Sequence, residues 1–232
     1  MNSNVTTNES RIKILLKVLI RFFLVFIFIG ILIFLSAGTL KFFNGWLFIA
    51  GLLIPMTFTL IYLLIKDLEL LEKRMKIKET ENAQKKYIKL SILLFVIAYI
   101  IPGLDFRFKW SSVPMWLVMV SLIIMICAYI GFIIVMLQNR YASRVIEIQN
   151  EQKLIDTGLY SFVRHPMYLS ASILYIASSL VLGSYYTLIP MLLLPFLLSY
   201  RIKNEEKVLL KGLAGYEEYT KRVKYRMLPF IW

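Results

Sequence analysis

The 232-residue chain is 59% hydrophobic and only 18% charged, against roughly 45–50% apolar and about 25% charged in a soluble domain. This balance excludes an ordinary water-soluble globule and indicates a polytopic membrane protein. The net charge of +13 gathers at the ends of apolar runs, which fits membrane orientation rather than a nucleic-acid partner.

In chain order, residues 1–10, "MNSNVTTNES", are polar and expected to be disordered. Apolar runs follow at 18–37, 45–65, 88–104, 113–137, 167–182 and 186–200. One bilayer crossing needs about 20 apolar residues, and runs of this length are too long for ordinary strands. The expected fold is all-α, an integral-membrane helical bundle of about six apolar segments. Between the second and third runs, "DLELLEKRMKIKETENAQKK" puts Leu68, Leu71 and Met75 on one helical face. Glu69 with Lys73 and Glu72 with Lys76 form i,i+4 pairs. An interfacial helix is predicted there, either a plain solvated charged face or a contact for anionic lipid.

Ser111-Ser112-Val113-Pro114 reads as a helix start with proline in the first turn. The sole cysteine, Cys127, excludes an intrachain disulfide and a thiolate metal site, and is expected to pack in the core. Gly183-Ser184 marks a tight reversal, making 167–200 a helical hairpin. Its arms are short, at roughly 1.5 Å per residue, for a hydrocarbon core of about 30 Å. They are expected to span by packing on neighbours or by local thinning. In this scheme all but three of the 27 Lys and Arg residues, the exceptions being Lys41, Arg107 and Lys109, fall on one side. That asymmetry predicts cytosolic termini.

Two polar stretches flank the hairpin, "IQNEQKLIDTGLYSFVRHPMY" before it and "YRIKNEEKVLLKGLAGYEEYTKRVKYRMLPFIW" after it. Folding the hairpin brings them together. By residue chemistry alone, Arg164 and His165 at a helix entrance fit interfacial snorkelling as well as a site. Pro166 pre-sets a first turn, while Tyr160, Tyr168 and Trp232 suit an aromatic belt. Arg201 and Glu205 share a face at i and i+4 at the mouth of the bundle, as an ion pair or a functional pair. Glu206 points about 100° away and is expected to be solvated. There is no GxGxxG, GxxxxGKS or GxSxG motif, and His165 is the one histidine. Rossmann, P-loop, zinc, haem and serine-elbow chemistries therefore lack their signatures.

Gly158-x-Tyr160, Arg164-His165-Pro166-Met167-Tyr168, Arg201 with Glu205-Glu206, Gly215-Tyr216-x-x-Tyr219 and Leu228-Pro229 occur in that order. The pattern, over roughly residues 149–232, resembles the integral-membrane methyltransferases that include isoprenylcysteine carboxyl methyltransferase and phospholipid methyltransferases. The resemblance implies N-terminal transmembrane helices over 1–140 and a methyltransferase region over 141–232. It implies a cytosol-facing pocket for S-adenosyl-L-methionine, and a lipidic or lipidated acceptor entering from the bilayer. Carried over by position, cofactor contacts fall on Gln149, Gln152, Lys153, Leu154, Ile155, Tyr160, His165, Pro166, Met167, Tyr168 and Glu205. Arg201 takes the place of a substrate-contacting, catalytic arginine. Two positions depart from the family pattern: Gln152 stands where histidine is common, and Ser170 where glycine is.

By the same resemblance, the expected reaction is methyl transfer to a carboxylate of isoprenylcysteine type. The alternatives are phospholipid amine N-methylation and the NADPH chemistry of membrane sterol reductases, with a non-catalytic scaffold or transporter as a third class.

Overall fold

Within a bilayer the backbone finds no water, so each crossing must close its own hydrogen bonds as a helix. The computed structural model describes residues 2–75, 82–141, 148 and 151–232, and among them all regular structure is helical. The helices are α1 (Asn2–Ala37), α2 (Phe43–Lys66), α3 (Leu68–Met75), α4 (Asn82–Phe108), α5 (Met115–Gln138), α6 (Pro166–Val181), α7 (Leu188–Gly212) and α8 (Tyr216–Arg222). Among the described residues four stretches are long and apolar enough to cross a membrane: Leu15–Ala37, Phe43–Lys66, Lys86–Phe108 and Met115–Gln138. The last two apolar runs form the hairpin of α6 and α7.

The tip of the hairpin is tied to the loops beside it. Asp105, 1% exposed, accepts hydrogen bonds from Ser111 N at 2.7 Å and Ser111 Oγ at 2.6 Å. It also accepts one from Ser184 Oγ at the tip. Asn44, at the start of α2, donates to Val181 O at 2.9 Å. Gly183 completes the reversal with φ +75°, where an added Cβ would stand 2.9 Å from Asn44 Nδ2. Helix α6 lies along α5, and α7 packs on α4 and α6.

At the other end, α3 turns under the bundle. Leu70 and Leu71 join Val18, Leu60, Leu63 and Met136 in one buried cluster, and Glu69 pairs with Lys73 at 2.9 Å. Arg140, just beyond α5, pairs with Asp67 between α2 and α3. The remainder of the expected interfacial helix, Lys76 included, lies outside the described residues.

Three local expectations change. The N-terminal segment is helical from Asn2, because extending a formed helix costs far less than starting one. Helix α5 starts at Met115 with Pro114 as an extended N-cap residue, so the proline stands just before the first turn and not in it. Cys127 is exposed on the lipid-facing side, since Ser121, Met125 and Ala128 occupy the packed face of α5.

Asp105→Ala leaves the Ser111 amide and the Ser184 hydroxyl without their acceptor. It should cost about 1–3 kcal/mol, seen as a lower unfolding midpoint of the detergent-solubilised protein.

Candidate functional site

The first wall of the site is a short 3-10 turn, Gly158–Ser161. Gly158 has φ +57°, and a Cβ there would meet Gln138 Nε2 at 2.3 Å. The close approach lets Gln138 Nε2 donate to Thr157 O at 2.6 Å, fixing the turn to the end of α5. Tyr160 is then held from two sides. Its hydroxyl accepts from Asn139 Nδ2 at 3.0 Å, and its carbonyl accepts from Tyr219 Oη at 2.7 Å. Burial pushes the Tyr160 phenol up to about 12, so it remains a neutral group near pH 7.

The Arg164-His165-Pro166 turn is clamped by the C-terminal tail. Arg164 N and His165 N donate to Tyr225 O and Arg226 O at 2.9 and 2.7 Å. Pro166 opens α6, where its missing N–H costs no helical bond. The His165 ring stacks on Tyr168, with centroids 5.7 Å apart and planes 21° from parallel.

Two adjacent glutamates on α7 do different things. Glu205 accepts from Tyr168 Oη at 2.7 Å, and Tyr168 Oη in turn accepts from Arg201 Nε at 2.9 Å. Arg201 and Glu205 are therefore joined through Tyr168 instead of pairing directly. The Arg201 guanidinium also lies over the Tyr87 ring of α4, 5.4 Å from its centroid. Glu206, expected in solvent, is 5% exposed. It accepts from Arg164 Nε at 2.7 Å and Arg226 Nε at 2.6 Å. His165 Nε2 lies 3.4 Å from the same carboxylate, at the limit of hydrogen-bond reach. Burial alone would raise the Glu206 pKa, but His165, Arg164 and Arg226 outweigh it and hold it at about 2. Arg164 Nη1 also donates to Val223 O and Lys224 O at 2.7 and 2.9 Å. The side chain that alone resembled a snorkeler is a buried brace. The overturned expectation has a tertiary cause: the tail after α8 folds over this face and supplies Arg226.

These elements line one common cleft at this end of the bundle. Gln152, Lys153, Leu154, Ile155, Tyr160, His165, Met167, Tyr168 and Glu205 all line it. Pro166 shapes the turn without lining the cleft, Arg201 stands behind Tyr168, and Gln149 lies outside the described residues. The lining also includes residues that sequence reasoning did not assign: Asn139, Tyr141, Arg164, Val208, Leu209, Leu213, Tyr216 and Tyr219. Val208 and Leu209 carried a usable signal, standing three and four residues beyond Glu205 on the same helical face. Tyr216 and Tyr219 were visible as a motif; Asn139 and Tyr141 had no local mark. Among the described residues no cluster of His, Cys, Asp and Glu is suited to a metal ion. The cleft offers aromatic faces, an aliphatic wall and one carboxylate, a set suited to a nucleoside carrying positive charge.

Residues 116–211 match the model of the isoprenylcysteine carboxyl methyltransferase family. Over its whole length the chain is similar in fold to the solved structure of a eukaryotic intramembrane Ras methyltransferase, isoprenylcysteine carboxyl methyltransferase. The TM-score is 0.52 at 18% identity, covering 100% of this chain and 88% of that one. A second similarity, 36% identity over 84 residues, is to a Delta(14)-sterol reductase of Mus musculus; it spans 35% of this chain and 20% of the reductase.

Glu206→Gln removes the one charge facing the buried Arg164 guanidinium and the partly exposed Arg226, and should destabilise the protein by about 3 kcal/mol. Because the folded pKa of Glu206 lies below its ordinary 4.5, its contribution is complete above that value and is lost as pH falls toward 2. Unfolding midpoints measured from pH 6 to pH 2.5 should drop for the natural protein, with the Glu206 share of that slope absent in the variant.

Proposed function

We infer, from the match of residues 116–211 to the model of the isoprenylcysteine carboxyl methyltransferase family, that this protein transfers a methyl group from S-adenosyl-L-methionine to a lipidic acceptor. The preferred reaction is O-methylation of a carboxylate of isoprenylcysteine type. One observation carries the reading: the two polar stretches flanking the hairpin meet in a single cleft, with His165, Tyr168 and Glu205 in one connected row. The many basic residues at this end of the bundle support a cytosolic cleft and cytosolic termini.

When bound, the cofactor supplies the electrophilic methyl group. The residues present fit it. Glu205 offers a negative charge to a cationic ligand, while Tyr160, His165, Tyr216 and Tyr219 provide ring faces and polar edges for a nucleoside. Leu154, Val208, Leu209 and Leu213 form the apolar wall against its base. Gln152 to Ile155 close one side of the cleft and exclude water from it. Tyr168, fixed by Arg201 on one side and Glu205 on the other, cannot swing, so it holds the shape of the innermost wall. Arg201 stands on the bilayer side of Glu205, one turn toward the hairpin tip, where its guanidinium faces an acceptor arriving from the lipid. A displacement at a sulfonium needs no acid at the leaving group, so holding the acceptor and the cleft walls in register provides most of the acceleration.

The similarity to a sterol reductase favours a second reading, an NADPH site in the same cleft. Thermal unfolding with S-adenosylhomocysteine and with NADPH separates them, because a selective ligand raises the midpoint of the native state. A rise with S-adenosylhomocysteine alone is expected; a rise with NADPH alone replaces the proposal with the reductase.

Glu205→Ala and Tyr168→Ala should each weaken S-adenosylhomocysteine binding roughly 10- to 100-fold in nanodiscs, the range for a lost charge-assisted contact. Arg201→Lys should lower turnover of labelled methyl into prenylated thiols at least tenfold with little change in cofactor affinity, because an ammonium lacks the planar fork.

A further inference from the structure

Helix α3 brings one more cation to the site. Arg74 lies at the end of this eight-residue helix, outside the family match, and reaches Met167 of the cleft wall. Its Nη1 and Nη2 stand 3.5 and 3.6 Å from Met167 Sδ. A thioether sulfur is a weak, neutral acceptor. The Arg74 Nε is shut off from solvent and has no hydrogen-bond partner. Among the described residues no carboxylate comes within ion-pair distance of it. Glu205, Tyr160 and Tyr168 act on it only through space, and Glu205 is already engaged by the Tyr168 hydroxyl.

Such an arrangement is unusual. Every other buried guanidinium at this end of the bundle has oxygen partners: Arg164 holds Glu206 and two carbonyls, and Arg201 holds Tyr168. Burial draws the Arg74 pKa below its ordinary value, yet a guanidinium stays protonated in proteins, so the charge persists with no ion-pair partner among the described residues. Removing a charge from water is costly unless an opposite charge meets it. Leu70 and Leu71 anchor α3 to α1, α2 and α5, which fixes the backbone of Arg74 beside Met167.

We propose that Arg74 is an acceptor-binding residue: its guanidinium takes the carboxylate of the methyl acceptor on the bilayer side of Met167, and α3 forms the acceptor-side wall of the site. This rests on the methyltransferase reading above. In the reaction the carbon–sulfur bond of the sulfonium breaks with its electron pair left on sulfur, and a carbon–oxygen bond forms to the carboxylate. Sulfonium and carboxylate charges both vanish and no proton moves. The product ester therefore has no charge for Arg74, so the same residue that gathers the acid releases the ester.

The test uses the full chain in nanodiscs with N-acetyl-S-farnesylcysteine as the acid probe, its methyl ester as the product probe, and S-adenosylhomocysteine. Direct binding is measured by calorimetry, so turnover is not needed. The natural protein should hold the acid at least tenfold more tightly than the ester. Arg74→Gln should remove that preference, weakening the acid roughly 10- to 100-fold and leaving ester and S-adenosylhomocysteine affinities within about twofold. Arg74→Lys keeps the charge but not the fork and should restore part of the preference; it also decides the matter if the glutamine variant does not fold. Loss of S-adenosylhomocysteine affinity in step with the acid would assign Arg74 to the cofactor's own carboxylate and overturn the proposal. An acid-to-ester ratio unaltered in the variants would overturn it as well. Should the natural protein bind neither S-adenosylhomocysteine nor either probe, the methyltransferase reading falls, and the Arg74 assignment with it; binding of the probes without Arg74 dependence removes only the latter.

Discussion

The buried carboxylate of Glu206 organises this end of the molecule. Three segments far apart in sequence converge on it: the Arg164-His165 turn before the hairpin, α7 after it, and the tail at Arg226. Each guanidinium would be an uncompensated charge without that anion, and the anion would be equally costly without them. Backbone bonds from Arg164 and His165 to Tyr225 and Arg226 then align the tail beside the turn. The entrance of α6 is consequently rigid before any ligand arrives. His165 and Tyr168 inherit their positions from it.

Glu205 shows the complementary use of the same chemistry. It sits one residue away but about 100° round the helix, so it points into the cleft while its neighbour points into the protein. Two carboxylates thus divide into a structural anion with three basic partners and a site anion with one phenol donor. Tyr168 links the second of these to Arg201, carrying the order of the polar end one turn deeper into the bundle. At the opposite end Asp105 fastens the tip of the hairpin to the loop before α5. The hairpin is therefore held at both ends by buried carboxylates.

Helix α3 extends the site beyond the C-terminal third. Its apolar face is seated among α1, α2 and α5, and its last turn carries an arginine to the rim of the cleft. Arg74 thereby stands against Met167, one of the residues that line the cleft.

The number and placement of apolar runs, the hairpin reversal at Gly183 and the shared face of Arg201 and Glu205 were legible in the sequence. Each is a local property: hydrophobic length, a turn residue, a helical repeat. Nine of the assigned site residues, from Gln152 to Glu205, line the cleft because the motifs that carry them flank a hairpin, and a hairpin has one geometry. The fates of Glu206, Arg164 and Cys127 were not legible. Helical spacing sets the direction in which a side chain leaves its own axis, but what waits in that direction belongs to another part of the chain. The tail at 223–226 made Glu206 an interior anion and Arg164 a brace, and the packing of α5 through Ser121, Met125 and Ala128 left Cys127 facing lipid. Asn139 and Tyr141 entered the site, and Arg74 came to rest against Met167, in the same way, because contacts between residues tens of positions apart are decided by how the helices stack and by nothing in the local pattern.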